Sequence, residues 1–162
     1  MGGFSMSILL LAMAGMFWAF VIAIVILAII KLALYVFESF GLMKLNKNLG
    51  YKHSWTAWIP IYNKYLLGKI AVKPWAGVTL SLLWLIKTVL FILGYIFAGI
   101  NSLLILTIIL VIVTFIVEMI IVSKLYTKYS KYNEVLTVFT AVTLGLLEPI
   151  FIFAIRNNKN RS

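Results

Sequence analysis

The stretch SILLLAMAGMFWAFVIAIVILAII, residues 7–30, is almost wholly apolar, and the first ionisable side chain of the sequence is Lys31. A helix needs about 20 apolar residues to cross about 30 Å of hydrocarbon, and this run is long enough. We therefore predict a first membrane span over residues 8–31. A cleaved secretory signal has basic residues before a shorter apolar core, so we expect this helix to be retained.

The composition extends this conclusion to the whole chain. Of its 162 residues, 64% are hydrophobic and 11% are charged, and the mean hydropathy is +1.13, whereas about 25% of residues in a soluble domain are charged. We predict an all-α, polytopic integral membrane protein with one membrane domain over residues 1–162. The sequence has no cysteine, which excludes disulfides, thiolate nucleophiles and cysteine-ligated metal sites.

Three further apolar runs predict three further spans, over residues 75–98, 102–123 and 135–155. A short, uncharged link at residues 99–102 predicts that the second and third spans form an antiparallel hairpin with its turn outside. Lysines are concentrated in the segment before the second span and in the segment after the third. By the positive-inside rule both segments are cytoplasmic, which places the N-terminus outside.

The last run, residues 135–155, leaves two topologies open. If it crosses the membrane, the tail that contains Arg156, Lys159 and Arg161 lies outside, against the positive-inside rule. If it turns back near Pro149 as a re-entrant hairpin, every basic segment stays cytoplasmic. We favour four spans because the run is long enough at about 1.5 Å per residue.

The segment WTAWIPIYNKYLLGKI, residues 55–70, is neither polar throughout nor apolar throughout. At about 100° per residue its aromatic side chains fall on one side and Lys64 falls on the other. Pro60 suits the first turn of a helix, so we predict a cytoplasmic, interfacial amphipathic helix over residues 60–71. Aromatic rings favour the headgroup level, where lysines attract anionic lipid. The candidate partner surface consists of Trp55, Trp58, Tyr62, Lys64 and Lys69.

Three charged residues fall within the predicted spans: Lys87, Glu118 and Glu148. A charge at the bilayer centre is costly unless it has a partner, and such charges often mark ion or proton routes. At about 1.5 Å per residue, Lys87 and Glu148 both lie roughly 18–20 Å above the cytoplasmic end. We therefore predict that these two pair, with Glu118 nearer the interface, where it can reach Lys124.

Two motifs resemble a known pattern. Trp58, the IPIYN of residues 59–63, Tyr65 and the LLGKIA of residues 66–71 resemble the signature of a family of small uncharacterised bacterial membrane proteins. VSKLYTKYSKYN at residues 122–133, followed by an apolar run with a proline, resembles that family's C-terminal part. The resemblance covers roughly residues 51–155 and departs from the family over 102–123. It implies a bacterial cytoplasmic-membrane location and no assigned activity.

The sequence gives no set of residues that defines a reaction. His53 is the single histidine, and no second histidine or carboxylate stands at ligand spacing from it, so we expect no metal and no cofactor. We find no paired catalytic carboxylates and no phosphate-binding glycine loop, so we do not expect an enzyme. The net charge of +10 is spread along membrane edges, where anionic lipid explains it without nucleic acid.

Two functions from different classes remain open. We favour an accessory or interaction protein of a bacterial membrane, which works through the cytoplasmic aromatic and basic segment. The alternative is a small ion or solute channel, a carrier or a holin-like pore centred on Lys87 and Glu148. The expected partners are a bilayer with anionic lipid and either another protein or further copies of the chain, since a unit this small would enclose a pathway only by assembly.

Overall fold

The structure of the chain is a computed structural model that describes residues 2–96 and 101–159, with side chains described over 6–96 and 103–159. The described residues form α1 (Gly2–Asn48), a 3₁₀ helix (Ser54–Trp58), α2 (Pro60–Ala71), α3 (Pro74–Ile96), α4 (Asn101–Tyr129), α5 (Asn133–Val142) and α6 (Glu148–Ile155). The predicted all-α class is confirmed.

Three of these helices contain segments long and apolar enough to cross a membrane. The segments are Met6–Asn48 in α1, Pro74–Ile96 in α3 and Leu103–Tyr129 in α4. They correspond to the first three predicted spans. The predicted outer turn at residues 99–102, the end of the second span at residues 97–98 and Arg161 of the tail fall wholly or partly outside the described residues.

The chain divides into two units, one up to Tyr35 and one from Val36 onward. In the first unit, every side chain over residues 6–33 is exposed except Val21, which is half-buried. Apolar side chains that are exposed around a whole helix are stable only where the surrounding medium is itself apolar. The helix therefore has the surface of a segment surrounded by lipid.

The second unit has a hydrophobic core built from the end of α1, from α2, from the start of α3, from the second half of α4 and from α6. Its largest fully buried apolar side chains are Leu42, Leu45, Leu66, Leu67, Ile70, Leu80, Leu125, Tyr126 and Ile152. Most of the apolar side chains of α3 and of the first half of α4 are exposed, as expected for helices that face lipid.

The start of α2 follows from two residues. Ile59 is extended, with φ −89° and ψ 119°, and Pro60 occupies the first turn, where its missing N–H is no loss. The side-chain amide of Asn63 donates to Ala57 O (3.1 Å) and to Ser39 Oγ (3.3 Å), so one side chain ties α2 both to the 3₁₀ helix and to α1. The predicted helix bounds of 60–71 are those observed, but one side of this helix is buried in the core.

Two glycines allow α2 and α3 to pack backbone to backbone. A Cβ atom added to Gly68 would lie 2.5 Å from the backbone N of Gly77, and one added to Gly77 would overlap the carbonyl oxygen of Tyr65. Side chains larger than hydrogen would therefore force the two helices apart.

The region predicted as a fourth span contains two short helices instead of one long one. α5 ends at Val142, and the chain then reverses through Leu144 (φ 50°) and Gly145 (φ 82°), both in the left-handed region. α6 then begins at Glu148, with Pro149 in its first turn. Neither helix approaches the roughly 20 residues that a span needs.

Both ends of this helical hairpin lie at the C-terminal end of α4. The side-chain amide of Asn158, three residues beyond α6, donates to the carbonyl of Tyr129 at 2.7 Å. Asn48, at the end of α1, donates to the carbonyl of Arg156 at 3.1 Å. Over the described residues the 135–155 run therefore forms two short helices joined by a reversal, and the favoured four-span prediction is not confirmed. Length and hydropathy do not distinguish the two forms, because one long helix and a hairpin of two short helices are built from the same apolar residues.

Candidate functional site

Four charged side chains from four helices meet inside the second unit. Lys64 Nζ of α2 lies 2.7 Å from Glu118 Oε1 of α4, 2.8 Å from Glu38 Oε1 of α1 and 3.9 Å from Glu148 Oε1 of α6. We call this group the Lys64 cluster. The sequence contains only four acidic residues, and three of them are in the cluster.

The cluster is largely withdrawn from solvent. The exposed fraction of the side chain is 14% for Lys64, 9% for Glu38, 17% for Glu118 and 6% for Glu148. Burial by itself lowers the pKa of a lysine, but nearby carboxylates, first Glu118 and then Glu38, outweigh burial and hold the pKa of Lys64 well above its ordinary value. Lys64 is therefore a cation at neutral pH that joins α2 to its three neighbours.

One buried oxygen of the cluster, Glu148 Oε1, has no hydrogen-bond donor among the described residues. The ammonium group of Lys64 donates to Glu38, and its distance to Glu148 is too long for a hydrogen bond. A buried polar atom without a partner is uncommon in folded proteins and calls for a specific cause. A protonated Glu148, taken up below, lowers the cost of this unpaired oxygen, because a neutral carboxyl group loses less on burial than a carboxylate does.

The structure corrects the predicted pairing of the intramembrane charges. The lysine at ion-pair distance from Glu148 is Lys64, whereas Lys87 Nζ of α3 lies 5.6 Å from the centre of the Trp84 ring. The predicted depth of Glu148 assumed a continuous helix from residue 135 to residue 155. Because the chain turns back after α5, Glu148 comes to α2 instead.

The structure also shows where Glu118 finds its partner. It was predicted near the interface and within reach of Lys124, and it instead contacts Lys64 at 2.7 Å. The sequence analysis did not identify Glu38 as a member of the buried group, and it missed Lys64 because it placed Lys64 on a cytoplasmic partner surface. The scarcity of acidic residues was the one signal in the sequence that could have suggested a shared partner.

The predicted partner surface is only partly formed. Trp55, Trp58 and Tyr62 have exposed fractions of 61%, 37% and 36%, and we call these three residues the aromatic rim. Lys64 is not on this surface, because its side chain points into the cluster. Lys69 lies with its Nζ 3.7 Å from the centre of the Tyr51 ring, a cation–π contact.

The rim is held by aromatic contacts. Trp58 meets Phe40 of α1 edge to face, with ring centroids 4.9 Å apart, and the Tyr62 and Tyr65 rings lie 5.0 Å apart. His53 precedes the 3₁₀ helix, and its carbonyl accepts a hydrogen bond from Thr56 Oγ1 at 2.6 Å. Over the described residues, no group of three or more histidine, cysteine or acidic side chains is arranged to hold a metal ion.

Comparisons with known proteins found no match to this chain. Neither protein-family models, nor curated proteins, nor solved structures give a match to the chain. The resemblance carried by the IPIYN motif therefore stays a prediction.

Proposed function

We propose that this chain is a multi-pass protein of a bacterial cytoplasmic membrane that acts as an accessory or interaction protein, with the aromatic rim as its contact surface. The observation that supports this role is the exposure of the rim beside a buried core. Leu66, Leu67 and Ile70 of α2 are buried, whereas Trp55 keeps 61% of its surface exposed. Aromatic side chains at the surface of a rigid unit are typical of partner contacts.

The contacts within the rim favour binding over simple exposure. Trp58 is braced by Phe40, and Tyr62 is braced by Tyr65. Side chains already fixed in position lose little conformational entropy when a partner binds, so they contribute more of their contact energy to affinity. The ammonium of Lys69 adds a positive charge near the rim, because it lies 5.9 Å from the centre of the Tyr65 ring, which contacts Tyr62.

We infer a membrane arrangement in which α1, α3 and α4 cross and the start of α2 lies at the cytoplasmic interface. The α5–α6 hairpin enters from the cytoplasmic side and returns to it. This arrangement is supported by the bond from Asn158 to Tyr129, which brings the C-terminal segment to the lysine-rich end of α4. In this arrangement the cytoplasmic side contains Lys124, Lys128 and Arg156, as the positive-inside rule requires. The four-span form differs in placing the C-terminus outside.

The alternative function, a small channel, carrier or holin-like pore, stays a prediction. The charged residues on which it would be centred are different from those predicted. Its charged core would be the Lys64 cluster, not Lys87 with Glu148. The short distances from Lys64 to Glu38 and Glu118 describe a closed network, which favours a structural centre over an open ion path.

The rim is tested by placing a photo-reactive amino acid at position 55 and irradiating living cells. A partner protein should appear as a discrete adduct that disappears when Trp58 and Tyr62 are changed to alanine. The matched control carries the same probe at position 95, where Tyr95 is 82% exposed on α3. Adducts with lipid alone from position 55 would identify the rim as a membrane anchor and would overturn the proposed function.

A further inference from the structure

We propose that the Lys64 cluster is a proton-binding site, in which the carboxyl group of Glu148 holds a proton at neutral pH and releases it under alkaline conditions. The bound species is the proton on the carboxyl group of Glu148, which lies beside two other glutamates and one ammonium. This site is separate from the aromatic rim and does not depend on the function proposed for it.

The charge of the cluster gives the first reason. Three ionised carboxylates around one ammonium would leave two uncompensated negative charges in a buried position. Carboxylates that share a buried site do not all stay ionised, because each opposes the charge of the next while burial opposes them all. The cluster therefore retains a proton when exposed glutamates have lost theirs.

The geometry assigns that proton to Glu148. Its Oε1 atom is the most distant of the three from Lys64 Nζ, at 3.9 Å, and it is buried without a hydrogen-bond donor among the described residues. Glu38 and Glu118 both lie within 2.8 Å of the ammonium and form ion pairs with it at hydrogen-bond distance. Glu148 also has the most buried side chain of the three, so ionisation is least favourable there.

The groups that surround Glu148 are identified. The charges that act on it come from Glu118 of α4, Lys64 of α2 and Glu38 of α1. Tyr126 of α4 also interacts electrostatically with Glu148, and its hydroxyl is hydrogen-bonded at 3.1 Å to Thr140 of α5. A metal ion is not the ligand that this arrangement suits, because the lysine ammonium occupies the place among the carboxylates that a cation would take.

Infrared spectroscopy of the protein in liposomes tests the assignment, because a protonated carboxyl group has a carbonyl band distinct from that of a carboxylate. We expect the protein at neutral pH to show this band, with a shift in heavy water, and to lose it at alkaline pH. Glu148→Gln should remove the band. Glu134→Gln is the matched control, since Glu134 is exposed at the start of α5, and this variant should keep the band.

Two results would overturn the proposal. One is the absence of a protonated carboxyl band at neutral pH, which would mean that all three carboxylates are ionised. The other is a band that persists in Glu148→Gln and disappears in Glu118→Gln or Glu38→Gln, which would put the proton elsewhere. The band reports the protonation state directly, so an ionised glutamate that stabilises the fold through ion pairs would not produce it.

A second measurement uses the pH dependence of unfolding. An unfolded glutamic acid has lost its proton above about pH 4.3, whereas the folded chain keeps the proton on Glu148. Folding therefore takes up a proton, and stability should decrease as the pH rises from acid through neutral to alkaline values. Glu148→Gln should reduce this dependence, whereas Glu134→Gln should retain it. Equal pH dependence in Glu148→Gln and the parent protein would contradict the proposal.

Discussion

At the scale of single residues, Lys64 is the side chain on which the second unit depends most. Its ammonium lies 2.7–3.9 Å from glutamate side chains of α1, α4 and α6. A buried cation with several partners is hard to replace, because its removal leaves each partner charge without compensation.

We expect Lys64→Met to lower the free energy of unfolding by about 3 kcal/mol or more at neutral pH. The cost should become smaller as the pH is lowered, because protonation removes the repulsion among the remaining carboxylates. Thermal unfolding in detergent micelles, followed by circular dichroism at several pH values, measures both effects.

Lys124→Met is the matched control for this substitution, because Lys124 is exposed on α4. Substitutions of exposed side chains usually change stability by about 0.5 kcal/mol or less. We expect a correspondingly small loss. If Lys124→Met were as costly as Lys64→Met, the cluster would not be the main electrostatic contact of the unit.

At the scale of helices, the contact between α2 and α3 depends on glycine at two positions. The two backbones are so close that a methyl group at Gly68 meets backbone atoms of Gly77, which cannot rotate away as a flexible side chain would. This contact fixes the position of α2 and therefore that of Lys64, which lies one helical turn before Gly68.

We expect Gly68→Ala to destabilise the protein by about 3 kcal/mol, the upper end of the range for overpacked sites. Thermal unfolding in detergent gives the loss. Gly15→Ala is the control, because no atom lies within 4 Å of a Cβ at that position. That variant should be neutral or slightly stabilised by helix propensity. A neutral result at Gly68 would show that α2 and α3 are not in close backbone contact.

The turn between α5 and α6 also determines the position of the Glu148 side chain. Leu144 and Gly145 both have positive φ, a conformation that stops α5 and reverses the chain. The same reversal carries Glu148 to the Lys64 cluster. A leucine in this conformation is unusual, since side chains disfavour the left-handed region.

At the scale of the whole molecule, the two topologies differ in the side on which the C-terminus lies. The sequence has no cysteine, so a single introduced cysteine is the only thiol of the protein that a labelling reagent can modify. We expect Asn157→Cys and Lys131→Cys both to resist a membrane-impermeant maleimide added to intact cells and to react after the cells are opened. The reason is the bond between Asn158 and Tyr129, which places both positions at the same end of α4.

Gly99→Cys, in the predicted outer link, serves as the control that should react in intact cells. Reaction of Asn157→Cys in intact cells, with Lys131→Cys protected, would place the C-terminus outside and restore the four-span topology. The α5–α6 hairpin would then have to open in the membrane.

The class of the protein and most of its helices can be predicted from the amino-acid sequence alone. Long apolar runs specify membrane helices because the bilayer requires internally satisfied backbone hydrogen bonds over a fixed thickness. The start of α2 followed from Pro60, which favours the first turn of a helix for local reasons. These features depend on neighbours in the sequence or on the solvent, and both can be read from the chain alone.

Which charged side chains contact one another depends on the tertiary structure and could not be predicted from the sequence. Glu38, Lys64, Glu118 and Glu148 are far apart in sequence, and their meeting depends on the reversal after α5 and on the close approach of α2 to α3. Helical periodicity placed Lys64 opposite the aromatic side chains but did not show whether that side faced water or three carboxylates. A long-range contact is fixed by packing, and local patterns carry no information about the partner on the other helix.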